Sequence, residues 1–130
     1  MAHGIVVSIV DDDAEMREAL TALIRSFGFT AIAFARAQDF LRSTAPSASS
    51  CLISDMKMPG MSGIELHRQL VGAGYTIPII LITAYPDDQT RADALKSGVI
   101  CYLPKPFAEE RLMACIRTAL TRRLQDGASR

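Results

Sequence analysis

Short apolar runs alternate with stretches of helical spacing along the whole chain, and this alternation restricts the fold more than any other feature. Ile5-Val6-Val7-Ser8-Ile9-Val10 is β-branched and almost unbroken, the pattern of a strand buried on both faces. From Ala14 to Phe27 the apolar positions are Met16, Ala19, Leu20, Leu23, Ile24 and Phe27, with Gly28 as a stop. That spacing predicts an amphipathic helix. Thr30 to Phe34 reads as a second strand, Ala37 to Arg42 as a short helix, and Ser43 to Ser50 as a polar loop. Cys51 to Ser54 is the third strand, with Asp55 at its carboxyl end. Ser62 and Glu65 form a capping-box pattern that opens a helix to about Val71. Ile77 to Thr83, a helix from Asp87 to Ser97, Val99 to Leu103 and a last helix from Phe107 complete the series. That last helix carries Leu112, Cys115, Ile116, Ala119 and Leu120 on one face. Strand–helix alternation of this kind predicts a parallel sheet with helices on both faces.

A chain of 130 residues suits one domain with its own core. Its formal net charge is zero, so no global attraction to nucleic acid or to a membrane surface arises. No helix-turn-helix pattern or basic stripe occurs, and no direct nucleic-acid binding is expected. The apolar runs are too short to cross a bilayer, and the first leads directly into Asp11-Asp12-Asp13 rather than a cleavage site. A cytoplasmic protein without membrane contact is the expectation. Cys51, Cys101 and Cys115 lack the spacing of a metal or redox pair and read as reduced core thiols. His67 reads as an exposed helix residue, and His3 lies near the start of the chain. Neither is expected to play a catalytic role.

In open sheets of this class the active crevice lies beyond the carboxyl ends of the strands. Asp11 and Asp12 end strand 1, Asp55 ends strand 3, Thr83 ends strand 4 and Lys105 follows strand 5. Alone, each has an ordinary explanation: helix cap, turn residue, strand residue or solvated lysine. Together they place three carboxylates, a hydroxyl and an ammonium on one rim. Carboxylates ~4 Å apart repel by about 4 kcal/mol per pair near a protein surface. A hard divalent cation removes that repulsion, and Mg²⁺ accepts a few carboxylate oxygens, waters and a phosphate. A carboxylate in such a place can act as a nucleophile and form an aspartyl phosphate.

At these positions the chain resembles the receiver domains of two-component response regulators, with loop wording most similar to the nitrogen-fixation-regulator subgroup. The matching stretches are Ile9-Val10-Asp11-Asp12-Asp13, Ser54-Asp55-Met56-Lys57-Met58-Pro59-Gly60-Met61-Ser62-Gly63, Ile82-Thr83-Ala84-Tyr85 and Lys105-Pro106-Phe107. The resemblance covers about residues 4 to 122. It implies a flavodoxin-like, doubly wound fold with strand order 2-1-3-4-5, a receiver domain over residues 1–124, and a tail or linker start over 125–130. It implies that Asp55 accepts phosphate from a sensor histidine kinase or a small donor such as acetyl phosphate. Asp12, Asp55 and the Lys57 backbone carbonyl would bind Mg²⁺, for which Mn²⁺ could substitute, and Asp11 would act through a water. Thr83 and Lys105 would contact the phosphoryl group, small Ala84 would leave room for it, and Tyr102 would be the coupled aromatic switch. The Lys105–Pro106 bond would be cis. A downstream protein or a missing output domain would read a surface built from the helix after strand 4, strand 5 and the last helix. Phosphorylation-dependent pairing of two copies is a further family expectation, and enzymatic activity beyond self-phosphorylation and self-dephosphorylation is not.

Two other readings compete with a stand-alone switch. One is the regulatory domain of a longer DNA-binding transcriptional regulator. The other is a flavin carrier or phosphohydrolase on the same fold. The latter needs a Ser/Thr/Gly-rich phosphate loop after strand 1, or a second Asp two residues beyond the nucleophile. Strand 1 ends in three aspartates instead, and Lys57 stands two after Asp55.

Overall fold

The computed structural model describes residues 4–128, in which five strands alternate with helices. The elements are β1 (Val6–Val10), α1 (Ala14–Ser26), β2 (Thr30–Phe34), α2 (Ala37–Arg42), α3 (Ala45–Ala48), β3 (Cys51–Asp55), α4 (Gly63–Gly72), β4 (Ile79–Thr83), α5 (Asp88–Lys96), β5 (Cys101–Pro104) and α6 (Glu109–Ala128). All strand pairs are parallel and the sheet order is β2-β1-β3-β4-β5. This is the doubly wound order expected from the resemblance.

Alternation along the strands sends side chains to two cores. Val7, Ile9, Ile53, Ile80, Ile82 and Leu103 pack under α1 and α6, through Leu20, Ile24, Leu112, Ile116 and Ala119. Val10, Leu52, Ile79, Leu81 and Tyr102 pack on the opposite face, with Phe40, Leu66, Leu70 and Ala94 from α2, α4 and α5. β3 and β4 are buried at every position, which explains their unbroken apolar wording.

Several boundaries differ from the sequence reading for definable reasons. The loop after α2 contains one helical turn, α3, started by Pro46 in its first positions, where a missing N–H costs nothing. Ile77 and Pro78 precede β4, although the Pro78 carbonyl already accepts from Leu52 N at 2.9 Å. Val99 does not join β5, because its N–H turns back to the Ala94 carbonyl at 3.1 Å. Gly98, at φ +106°, makes that reversal feasible. α6 runs through Ala128, into the stretch read as a tail or linker start; Ser129, Arg130 and His3 lie outside the described residues. Among the described residues, no helix is long and apolar enough to cross a membrane.

Candidate functional site

The carboxyl rim is assembled by backbone bonds that continue the sheet. Asp11 N donates to the Phe34 carbonyl at 3.1 Å, Met56 N to Ile82 O at 2.8 Å, and Lys105 N to Thr83 O at 2.7 Å. Together with the Val10–Ser54 pairing of β1 and β3, these bonds bring the ends of β1, β3, β4 and β5 level. Pro104 is tolerated because β5 is an edge strand, and the pairing with β4 continues through Lys105 N. The Lys105–Pro106 peptide is cis, as expected.

The side chains expected at this rim do meet. One carboxylate oxygen from each of Asp11, Asp12 and Asp55 lies within 4.8 Å of the others. Lys105 Nζ stands 3.1 Å from Asp55 Oδ1 and 3.5 Å from Asp11 Oδ2. Asp11 and Asp55 are buried, whereas Asp12 is open to water. Asp11 Oδ1 accepts from Asp13 N at 2.9 Å, but Oδ2 is buried with no hydrogen bond, its nearest compensation being the Lys105 charge.

Burial pushes the carboxyls of Asp11 and Asp55 above the usual carboxylate range. Neighbouring carboxylates add to the rise and Lys105 opposes it. Burial alone would lower the Lys105 ammonium, but its contacts with Asp55 and Asp11 outweigh that and hold it above its ordinary value. The pocket is thus short of positive charge, and it contains an orphaned oxygen among three hard donors. That donor set fits a small divalent cation.

The other residues singled out from sequence surround this pocket in different ways. Thr83 is buried, and its hydroxyl oxygen accepts from Tyr85 N at 3.0 Å, which leaves the hydroxyl proton to donate. Ala84 is exposed. Lys57 is exposed, with its ammonium 4.8 Å from the Tyr85 ring centroid. Tyr102 is buried on the same sheet face as Leu81, its register partner.

His67 departs from its expected exposure. It is buried, beside the Gly98 turn, in the wall of a groove on the α4–β4 side of the domain. Burial lowers its pKa. The Cys51 thiol is pushed up to about 12 by burial, in keeping with a core thiol rather than a reactive one.

Sequence reasoning overlooked Arg17 and Gly63. Arg17 Nη1 donates to the Asp11 carbonyl at 2.9 Å. A Cβ on Gly63 would fall 2.7 Å from the Asp55 carbonyl oxygen and from Leu81 Cδ2, so the backbone of Asp55 is packed directly on the start of α4. The glycine directly after the capping serine was the available signal for the second; nothing in the spacing marked the first.

Comparison with known proteins gives a consistent answer. The family model described as the response regulator receiver domain matches residues 7–117. The chain is 44% identical over 115 residues to the response regulator protein TmoT of Ectopseudomonas mendocina, covering 88% of this chain and 52% of that protein. It is 37% identical over 114 residues to the transcriptional regulatory protein FixJ of Bradyrhizobium diazoefficiens, covering 88% and 56%. The structure of the response regulator StyR superposes with a TM-score of 0.89 at 42% identity, over 97% of this chain and 64% of that one. The chain spans about half the length of the curated relatives it matches.

Proposed function

The chain belongs to the response regulator receiver family, and from that premise we propose that it is a phosphorylation switch whose phosphoacceptor is Asp55, served by a divalent cation and Lys105. The observation that carries the reading is the convergence of Asp11, Asp12 and Asp55 around one ammonium.

Asp55 is the natural nucleophile of the three. It ends the central strand β3 and is the carboxylate nearest the ammonium, which holds Oδ1 and leaves the second oxygen to attack phosphorus. The bond from phosphorus to the donor then breaks, and the leaving group departs with the electron pair. Asp12, Asp55 and the Lys57 backbone carbonyl would hold Mg²⁺ or Mn²⁺, with Asp11 acting through a water. Bound there, the cation would offset charge on the carboxylates and on the incoming phosphoryl group. Lys105 would follow the charge onto a phosphoryl oxygen, and the Thr83 hydroxyl would donate to another. Exposed Ala84 adds no bulk in the way.

The response would pass through Thr83 and Tyr102, which share one sheet face, to α5 and β5. α5 is weakly anchored: Ala94 is its one buried residue, and weakly anchored elements shift at low cost. The α5–β5–α6 surface would then be read by a downstream protein, an output domain or a second copy. The phosphate source would be a sensor histidine kinase, and the compartment the cytoplasm. The lengths of the relatives favour a regulatory role within a longer regulator as the second reading.

Incubation with acetyl phosphate and Mg²⁺, followed by intact mass, tests the proposal. One added phosphoryl group that disappears with a chelator and in Asp55→Asn is the expected result. An unchanged mass, or equal labelling of Asp55→Asn, would overturn it.

A further inference from the structure

Arg17 lies in the first turns of α1, where a half-buried arginine needs no functional explanation. Its hydrogen bond is specific, however. Nη1 donates at 2.9 Å to the carbonyl of Asp11. That carbonyl belongs to the peptide joining Asp11 to Asp12. A peptide unit is planar, so holding its oxygen fixes the plane from which the Asp12 side chain departs.

The grip is itself anchored. Arg17 N donates to the Asp13 carbonyl at 2.9 Å. Asp13 caps α1 by accepting from Glu15 N and Met16 N, and Asp13 N donates to Asp11 Oδ1. The turn between β1 and α1 is therefore a closed set of bonds in which Arg17 supplies the link to the Asp11–Asp12 peptide. Asp12 needs such a link most, because it is exposed and no hydrogen bond to its carboxylate appears among the described residues. Among the described residues Arg17 makes no ion pair with a carboxylate. Its guanidinium contact is to the backbone, at the Asp11 carbonyl.

We infer that Arg17 is a positioning residue of the acidic pocket, holding the Asp11–Asp12 peptide so that both carboxylates converge with Asp55. This rests on the reading of that pocket as a divalent-cation site. An arginine of this kind raises cation affinity by preorganising the donors, since carboxylates already in place need no ordering when the ion enters.

Calorimetric titration of Mg²⁺ into the intact protein, and phosphorylation by acetyl phosphate at low and saturating Mg²⁺, test the inference. In Arg17→Met the Mg²⁺ Kd should rise about tenfold, the low end of what the loss of one charge-assisted hydrogen bond produces. The phosphorylation rate should fall at low Mg²⁺ and recover at saturation. Arg17→Lys should restore part of the affinity, and Arg25→Met, on the same helix but away from Asp11, should change nothing. Arg17→Gln, whose shorter amide falls short of the carbonyl, serves the same test should the Met variant fold poorly. Wild-type affinity in Arg17→Met or Arg17→Gln overturns the role of Arg17 alone. A wild-type protein that takes up no Mg²⁺ overturns the cation-site reading and this inference with it.

Discussion

Lys105 Nζ lies 3.1 Å from Asp55 Oδ1, and this ion pair joins the end of central strand β3 to the loop after edge strand β5. The same ammonium is 3.5 Å from the buried Asp11 Oδ2. One cation thus partly compensates two desolvated carboxylates, and among the described residues neither has another counter-ion.

Lys105→Met should therefore destabilise the metal-free protein by about 2 kcal/mol. Removing one partner of a buried pair leaves a charge behind, and the partial opening of this pocket to water moderates the cost. The variant should also slow phosphorylation by acetyl phosphate by about 10²-fold, the usual loss when a preorganised electrostatic contact is removed. Denaturant melts and timed mass spectra read the two effects separately.

Asp12→Ala should act in the opposite direction on stability. Removing one carboxylate relieves repulsion at the rim, so the metal-free Tm should stay level or rise by a few degrees. The Mg²⁺-dependent rise in Tm should vanish, because a ligand stabilises only through the site it binds. Paired melts with and without Mg²⁺ check both, and an undiminished metal effect would remove Asp12 from the site.

Gly63→Ala and Gly72→Ala should differ sharply. At Gly63 a methyl would meet the Asp55 carbonyl and Leu81 at 2.7 Å, forcing the backbone of the acceptor residue or the β4 core to move. A loss of about 2–3 kcal/mol is expected, together with slower phosphorylation. At Gly72 nothing lies within 4 Å, and this last residue of α4 should gain up to about 1 kcal/mol from the better helix former. Thermal melts of both variants make the comparison.

The pH dependence should bear the mark of His67. Its pKa is lowered in the folded protein, with burial the larger cause and Arg68 adding to it. The unfolded chain therefore binds more protons below about pH 6.5. Stability from the neutral imidazole is complete above that pH and falls as pH drops toward the folded pKa. His67→Gln should flatten the dependence of Tm on pH between about 5 and 7; an unchanged slope would show that His67 does not titrate as described.

The sequence revealed the fold wherever the local signal was redundant. Thr30–Phe34 and Ala37–Arg42 fall within the bounds read from it, and Ser62 with Glu65 closes the capping box. It misled where a tertiary partner decides the outcome. The Val99 N–H is taken by the end of α5, so an apolar β-branched residue stays outside the sheet. His67 reads as polar and exposed by type, yet its position on the inner face of α4 beside Leu66 and Leu70 buries it. The rim residues were legible because each ends or directly follows a recognisable strand. Arg17 was not, since a hydrogen bond from an arginine to a backbone carbonyl leaves no pattern in the residue types.

Chemical trapping of the phosphorylated residue tests Asp55 as the acceptor directly. After reaction with acetyl phosphate and Mg²⁺, borohydride reduces an aspartyl phosphate to homoserine, and peptide mapping then locates the altered residue. Homoserine should appear at position 55 alone, and not at all when Mg²⁺ is withheld. Conversion at Asp11 or Asp12 with position 55 untouched, or stable phosphate that resists reduction, would contradict it.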